Sequence, residues 1–434
     1  MSYHKFKVAV IGAGAAGLCA ASHVLSRSEN FHPPVVYEMS DCVGGTWVYT
    51  DNVGRNDYGL PVHSSMYKNL RSNLPKEIMG FPDFPFDTQL PSFVSHNDVR
   101  SYLEQYTDQF GIRSHIKFCT NVELVNPISG ANGDTKNLWE IISKDLRRGT
   151  HCTERFDSVL VCTGHYSDPY IPHIPGIEHF KGQTMHSHEF RITEPFTGKN
   201  VILLGCGPSG IDMALELCSV AKQVVLSHAN SLLTAPLPPN ILQAKAVERF
   251  SETGVICGDK TEYPADIFIF CTGYNYSFPF LSREVGLEVR DHRVTPLYKH
   301  IVHTTFPTLF FIGLCKTICP FPFFHIQISF ALAALDGTHK LPSKAEMDAA
   351  TEDQYQTSLQ IGIPHRHFHK LDSLQWSYSA ELAQLAKVDP LPPTIRKLYE
   401  ENKVIRRQDV CNYKNYKYEV IDHEKWRIVK PKSL

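Results

Sequence analysis

A β-branched run, a glycine-rich turn and a helix-forming stretch follow one another twice in this chain, once at the N-terminus and once in mid-sequence. Lys7–Ile11 leads into Gly12-Ala13-Gly14-Ala15-Ala16-Gly17 and then Leu18–Leu25; Asn200–Leu204 leads into Gly205-Cys206-Gly207-Pro208-Ser209-Gly210 and then Ile211–Cys218. In such a unit the first glycine permits the tight turn, the second lets backbone approach a pyrophosphate, and the third lets the helix close on the strand. The helix N-terminus then offers its unpaired N–H groups to the anion. Each unit runs on into a further strand, Val35–Tyr37 and Gln223–Leu226, completing a βαβ turn of the right hand. Two such units far apart predict an α/β fold with two Rossmann-like dinucleotide-binding domains and argue against a solenoid.

The ends of the second strands separate the two sites. The first stops at Glu38, about 20 residues beyond its loop, where a carboxylate accepts hydrogen bonds from ribose hydroxyls. Gly12, Gly14, Ala15, Ala16, Gly17 and Glu38 are therefore read as an FAD site. The other ends in Ser227-His228-Ala229-Asn230, without a carboxylate to repel a 2′-phosphate, which points to NADP(H); it also lacks the usual arginine clamp, leaving His228 and Asn230 as donors. Gly205, Gly207, Pro208, Ser209, Gly210 and Asp212 are read as the pyrophosphate side of that second site. Asp212 has an alternative reading as a residue favoured by the helix dipole.

Two further strands end alike: Ser158–Cys162 runs into Thr163-Gly164, and Asp266–Phe270 runs into Cys271-Thr272-Gly273. They predict 1–166 as the first part of the FAD domain and 167–274 as an inserted NADP domain. Residues 275–434 are then the rest of the FAD domain with a helical C-terminal tail. Pro169–Pro195, rich in proline, histidine and glycine, suits the connection. Thr308–Gly313 reads as a last buried strand and Ile326–Leu335 as an apolar helix; from Leu341 the chain reads as polar, helical and packed across the outside.

With 434 residues, 42% hydrophobic and 20% charged, the chain has material for two or three cores. A net charge of −2 gives no basic excess for nucleic acid or an anionic membrane surface. The 22 histidines do not fall into zinc-like spacings, and His365-Arg366-His367-Phe368-His369 reads as an exposed turn beside Pro364. The 12 cysteines are scattered, and Cys162 and Cys271 sit in strand-like runs as buried free thiols. The start, Met1–Lys7, has no signal-peptide character, and the final Lys432-Ser433-Leu434 is not a Ser-Lys-Leu address. No apolar run reaches the ~18 residues of a membrane span. The expectation is a cytoplasmic protein without a membrane span, with a homodimer allowed for.

Two dinucleotide sites on one chain imply hydride passing from nicotinamide to flavin. A disulfide reductase would then need a redox cysteine pair; the nearest spacing, Cys315 and Cys319, is wider than C-x-x-C and reads as structural. Phe180-Lys181-Gly182-Gln183-Thr184-Met185-His186-Ser187-His188-Glu189-Phe190, just before the second loop, matches an F-x-G-x-x-x-H-x-x-x-[FY] pattern. Gly44-Gly45-Thr46-Trp47, the stretch Ser64-Ser65-Met66-Tyr67 to Arg71-Ser72-Asn73-Leu74-Pro75-Lys76, and Phe270-Cys271-Thr272-Gly273-Tyr274 stand around it in fixed order. By these motifs the chain resembles the flavin-containing monooxygenases over nearly its whole length, with Cys271 where the family's F-A-T-G-Y has alanine. Its short length, without a C-terminal membrane segment, resembles the soluble insect or microbial branch, whose insect members include alkaloid N-oxygenases.

The resemblance implies that NADPH reduces FAD, that O₂ forms a C4a-hydroperoxyflavin, and that this oxygenates a soft nitrogen or sulfur of a small amine or sulfide, as in detoxification by N,N-dimethylaniline-type enzymes. It further implies Gly45, Thr46 and Trp47 as flavin contacts, Asn73 beside the flavin as the catalytic hydrogen-bond donor, and Arg71 and Ser72 flanking the cofactor junction. Thr272 and Gly273 would complete the cofactor contacts. His186 is read as clamping the linker against the cofactor domain in preference to acting as a base, because the chemistry needs none. The aromatic run Pro320–Phe324 reads equally as substrate path or core. Baeyer–Villiger oxygenation, whose motif closes on Trp where Phe190 stands here, uncoupled NADPH oxidation, and a non-catalytic scaffold are the competing readings.

Overall fold

The computed structural model describes residues 5–128, 138–228, 233–422 and 424–430. The strands and helices that position the site are β1 (Val8–Ile11), α1 (Ala15–Leu25), β2 (Val35–Tyr37), α2 (His96–Gln109), β3 (Ile116–Lys117), β4 (Ser158–Val161), β5 (Gln183–His186), β6 (Asn200–Leu204), α3 (Pro208–Leu217), β7 (Gln223–Ser227), β8 (Ile241–Ala244) and β9 (Ile267–Phe270). They continue as β10 (Leu297–Tyr298), β11 (Val302–His303), β12 (Leu309–Phe311), α4 (Pro320–Asp336), α5 (Lys344–Gln360), α6 (Gln375–Ala386) and α7 (Pro393–Gln408). One sheet runs β10-β11-β12-β4-β1-β2-β3, so strands from both ends of the chain share it; a second runs β8-β7-β6-β9-β5, drawn wholly from between them.

The two glycine units are built alike down to single hydrogen bonds. Val10 pairs in parallel with Val36 and Leu160, and Ile202 with Val225 and Phe268. Asp157 accepts from the Lys7 N–H at 2.8 Å and Asp266 from the Asn200 N–H at 2.7 Å, each fixing the start of the central strand. At the other end, the N–H groups of Gly12 and Gly205 both donate over 2.8 Å, to the carbonyls of Tyr37 and Ser227. The strands β1, β4, β6 and β9 are buried on both faces, as parallel sheets covered on both sides must be.

Element boundaries depart from the sequence reading where helices begin. Helix α1 starts at Ala15 and α3 at Pro208, inside the glycine motifs, and α4 starts at Pro320, six residues before the apolar stretch. Pro208 and Pro320 each occupy the first helical position, where the missing N–H has no intrahelical partner to lose. The aromatic run is thereby core: Phe321 and Phe323 are 2% and 1% exposed, and Phe321 stacks on Phe81 with centroids 5.0 Å apart. The antiparallel sheet of Thr120–Ile128, Leu138–Asp145 and His151–Phe156, and the smaller one of Val247–Phe250, Gly254–Cys257 and Glu262–Pro264, were not read from the sequence.

The tail corrects the expectation of a polar outer layer. Helices α5 to α7 are there, but the chain ends in a hairpin, Lys417–Val420 with Trp426–Val429. Tyr413, Tyr416 and Tyr418 pack with Ile78 and Phe93 in one cluster. The histidine run is corrected too. His365–His367 is a partly exposed 3-10 turn, but Phe368 and His369 are buried, and His369 shares a 2.9 Å N···N hydrogen bond with buried His300.

Candidate active site between two glycine loops

At the first loop the backbone is packed so closely that only glycine fits. A Cβ on Gly17 falls 1.8 Å from the Gly12 carbonyl oxygen, and one on Gly12, whose φ is +103°, falls 2.7 Å from the carbonyl oxygen of Cys162. The turn Gly45–Trp47 lies directly against it: a Cβ on Gly45 meets the Gly14 Cα at 2.9 Å. Glu38, 7% exposed, is oriented by the Ala13 N–H on one carboxylate oxygen at 2.8 Å and by the Ser40 N–H and hydroxyl on the other. A carboxylate oxygen has more than one lone pair, so acceptor capacity remains for ribose hydroxyls. His165, at the end of β4, donates from Nδ1 to the Gly313 carbonyl, while its buried Nε2 has no partner among the described residues. A cradle of bare backbone, a fixed carboxylate and an unpartnered imidazole nitrogen fit a dinucleotide.

The second loop repeats this geometry. A Cβ on Gly210 falls 1.9 Å from the Gly205 carbonyl oxygen and one on Gly205 2.5 Å from that of Cys271, whereas one on Gly207 meets no atom within 4 Å. Gly207, Pro208 and Ser209 are exposed at the N-terminus of α3, the arrangement that receives a phosphate. His228 is buried, with Nε2 3.4 Å from Gln243 Oε1 and Nδ1 without a partner among the described residues. Asn230 lies outside the described residues.

The segment Val62–Asn73 spans the space between the loops. The Ser64 hydroxyl donates to the Thr46 carbonyl at 2.8 Å, tying it to the first site. Further along, the Tyr67 hydroxyl donates to Asp212 and the Asn69 amide to Glu216, both on α3. Asn73 closes the segment with its side chain exposed, its carbonyl receiving the Asn402 amide at 3.1 Å. Trp47 meets Phe321 edge-on, 6.5 Å between centroids.

Several expected site residues turn elsewhere. Arg71 directs its guanidinium to the carbonyls of Phe93 and Lys414 and to Asn415, so it anchors the tail. Ser72 is 3% exposed, and its hydroxyl donates to the Leu74 carbonyl within its own turn. Asp212 is not in the first turn of α3; its carboxylate takes Lys414 Nζ at 2.6 Å and 2.7 Å on its two oxygens. The Thr272 hydroxyl donates to the Tyr170 carbonyl, and the Gly273 carbonyl is held by His186 Nε2 at 3.0 Å. His186 Nδ1 accepts the His188 N–H at 3.0 Å, so both ring nitrogens are engaged. Burial, the largest influence, lowers its pKa to about 4 and keeps it neutral. These bonds hold the end of β5 against the turn that follows β9.

Two residues of this region carried no signal in the sequence. Arg191, 6% exposed, donates to the carbonyls of Thr50, His188, Phe190, Asn52 and Ser64, riveting the stretch before β6 to the segment 50–64 that follows the Gly45–Trp47 turn. Burial lowers the pKa of His63, with Glu38 opposing and His188 adding to the effect. Neither stands in a recognisable spacing, because the loop that supplies their partners folds back only in three dimensions. Cys315 and Cys319 are each 1% exposed, and burial pushes both thiols up; Cys319 Sγ donates to the Ile78 carbonyl at 3.0 Å. They are structural.

Residues 5–235 and 229–430 match the model of the flavin-binding monooxygenase-like proteins. The chain belongs to that family. It is 36% identical over 427 residues to the flavin-containing monooxygenase FMO GS-OX-like 4 of Arabidopsis thaliana, covering 94% of this chain and 93% of that one. It is 39% identical over 397 residues to FMO GS-OX4 of the same plant, covering 87% and 84%. Among solved structures it resembles the S-allyl-L-cysteine S-oxygenase of Allium sativum, with a TM-score of 0.88 and 33% identity over 96% of both chains. Tmm from a Pelagibacter strain follows, at a TM-score of 0.83 and 32% identity over 95% of this chain and 93% of that one. Cyclohexanone monooxygenase, at 15% identity over 88% of this chain and 98% of that one and a TM-score of 0.61, shares the fold alone. As a flavin-binding monooxygenase the chain is an oxidoreductase that uses FAD, NADP(H), O₂ and a small-molecule substrate. Its fold is the two-domain arrangement of Rossmann-type FAD and NADP units. No helix among the described residues is long and apolar enough to cross a membrane. An insect-like branch is a finer statement than these plant and bacterial relatives carry.

Proposed function

We propose that this chain is an NADPH-dependent oxygenase of soft sulfur or nitrogen in small molecules, with thioethers first among its substrates. The observation that carries the reading is the 33% identity to a sulfur oxygenase over 96% of both chains. In this reading residues 1–166 and 275–434 hold FAD and 167–274 hold NADP(H). Gly12, Gly14, Ala15, Ala16 and Gly17 present the α1 N-terminus to the FAD pyrophosphate, and Glu38 takes its ribose. Gly45, Thr46 and Trp47 stand along the flavin. Gly205, Gly207, Pro208, Ser209 and Gly210 do the same for the nicotinamide dinucleotide, with His228 as the donor toward the 2′-phosphate.

Bound FAD, once reduced, supplies the oxygen-activating chemistry; the protein's work is holding, orienting and excluding water. Asn73 donates a hydrogen bond from its exposed amide into the space between the two loops. His186 and Arg191 fix the linker so that the two cofactor domains face each other at one separation. Tyr67, Asp212 and Lys414 tie the tail across α3.

The test is a substrate comparison on the purified yellow protein. NADPH consumption is measured with an allyl thioether, trimethylamine and a cyclic ketone, titrating H₂O₂ alongside. The expected result is consumption matched by sulfoxide, with amine oxide second. Consumption matched wholly by H₂O₂ for every substrate overturns the oxygenase reading, and ester from the ketone replaces it with Baeyer–Villiger chemistry.

A further inference from the structure

Away from both cofactor loops, Cys19 and His23 lie one helical turn apart on α1 and face His325 in the first turns of α4. One ligand atom from each, a thiol sulfur and two imidazole nitrogens, falls within 4.8 Å of the others. His23 Nε2 and His325 Nδ1 are 3.0 Å apart, with ring centroids at 4.6 Å and planes at 77°. The two imidazoles border a cavity of about 300 Å³ lined also by Ser22, Asp83, Ser329 and Arg27, whose guanidinium pairs with Asp336 at 3.5 Å. Cys19 is wholly buried, whereas both histidines are half-buried and reachable from that cavity.

We propose that Cys19, His23 and His325 form a zinc site that staples α1 to α4. One sulfur and two imidazole nitrogens is a borderline-soft ligand set suited to Zn²⁺ and unsuited to Mg²⁺ or Ca²⁺. Bond lengths of about 2.0 Å to nitrogen and 2.3 Å to sulfur hold ligand atoms roughly 3.3–3.8 Å apart, within small adjustments of the present spacing. The fourth position faces the cavity, where water completes a tetrahedron. On binding, the Cys19 thiol gives its proton to solvent and the proton shared by the two imidazoles moves to a ring nitrogen not bound to metal, so both lone pairs reach the ion. Because α1 carries the first glycine loop at its N-terminus, the staple fixes the helix on which that loop rests.

The experiment uses the full chain with FAD bound and no polyhistidine tag. It is equilibrated with Zn²⁺, freed of excess by gel filtration, and analysed for zinc by mass spectrometry and for ligands by X-ray absorption. The expected result is about one zinc per chain with one sulfur and two nitrogen neighbours. His325→Gln, at the helix edge, should keep its FAD and fall below about a tenth of that content, with Cys19→Ser losing the sulfur neighbour. Equal zinc in the parent and in His325→Gln, or a zinc signal without sulfur, overturns the proposal. Two imidazoles that merely share a proton give the first of those results.

Discussion

Asn73 and Arg191 show how differently two polar side chains can be placed in one fold. Asn73 is exposed, and its backbone carbonyl receives the Asn402 amide. Asn73→Ala should therefore leave FAD bound and stability near that of the parent while raising H₂O₂ release at the expense of product. An alanine variant that oxygenates thioethers with unchanged coupling would remove Asn73 from the mechanism. Arg191 is the reverse case: it is buried and its donors satisfy five backbone carbonyls, most of them on buried residues. A lysine has three donors and no planar fork, so Arg191→Lys strands some of these carbonyls. The expected loss is about 2–4 kcal/mol in urea unfolding, since each stranded buried acceptor costs roughly 1–3 kcal/mol. A loss below about 0.5 kcal/mol, the scale of a surface change, would show that water replaces the network.

At the scale of elements, the near-identity of the two glycine units makes a matched pair of substitutions informative. A methyl on Gly17 lands 1.8 Å from a backbone oxygen in the first unit and one on Gly210 lands 1.9 Å from the corresponding oxygen in the second. Neither neighbour is a flexible side-chain tip, so in each case the helix must back away from its strand. Gly17→Ala should be purified without yellow colour. Gly210→Ala should stay yellow and still be bleached by dithionite, but NADPH should reduce its flavin at least about tenfold more slowly, the effect of a misplacement near 1 Å. Colour loss in Gly210→Ala, or its retention with slow NADPH reduction in Gly17→Ala, would reverse the assignment of the two loops.

Across the whole molecule, buried histidines set the response to acid. Burial lowers His165 and His300 to about 3 and His186 and His303 to about 4, and lowers His369 well below its ordinary value. An unfolded histidine titrates near 6.5, so between about pH 6.5 and 4 the unfolded chain binds protons that the folded chain refuses. Stability is therefore complete above pH 6.5 and falls as pH drops, by up to ~1.4 kcal/mol per pH unit for each such group. Thermal unfolding should show a flat midpoint from pH 7 to 8 and a steep decline from pH 6 to 5. His300→Asn should make that decline shallower, and an unchanged slope in that variant would mean that other groups carry the effect.

The sequence alone determined the two nucleotide units, their order and the shared ends of their strands, because glycine spacing, strand length and the period of apolar residues are local properties. Only the tertiary structure decided that Arg71 and Asp212 serve the tail, that Arg191 rivets the linker, and that Cys19, His23 and His325 meet. Each of those contacts joins residues far apart in the chain, and no spacing records which distant carbonyl or carboxylate a side chain will reach once the helices pack. The helix starts at Pro208 and Pro320 belong between these cases: proline's tolerance at a first helical position is local, but the packing that makes use of it is not.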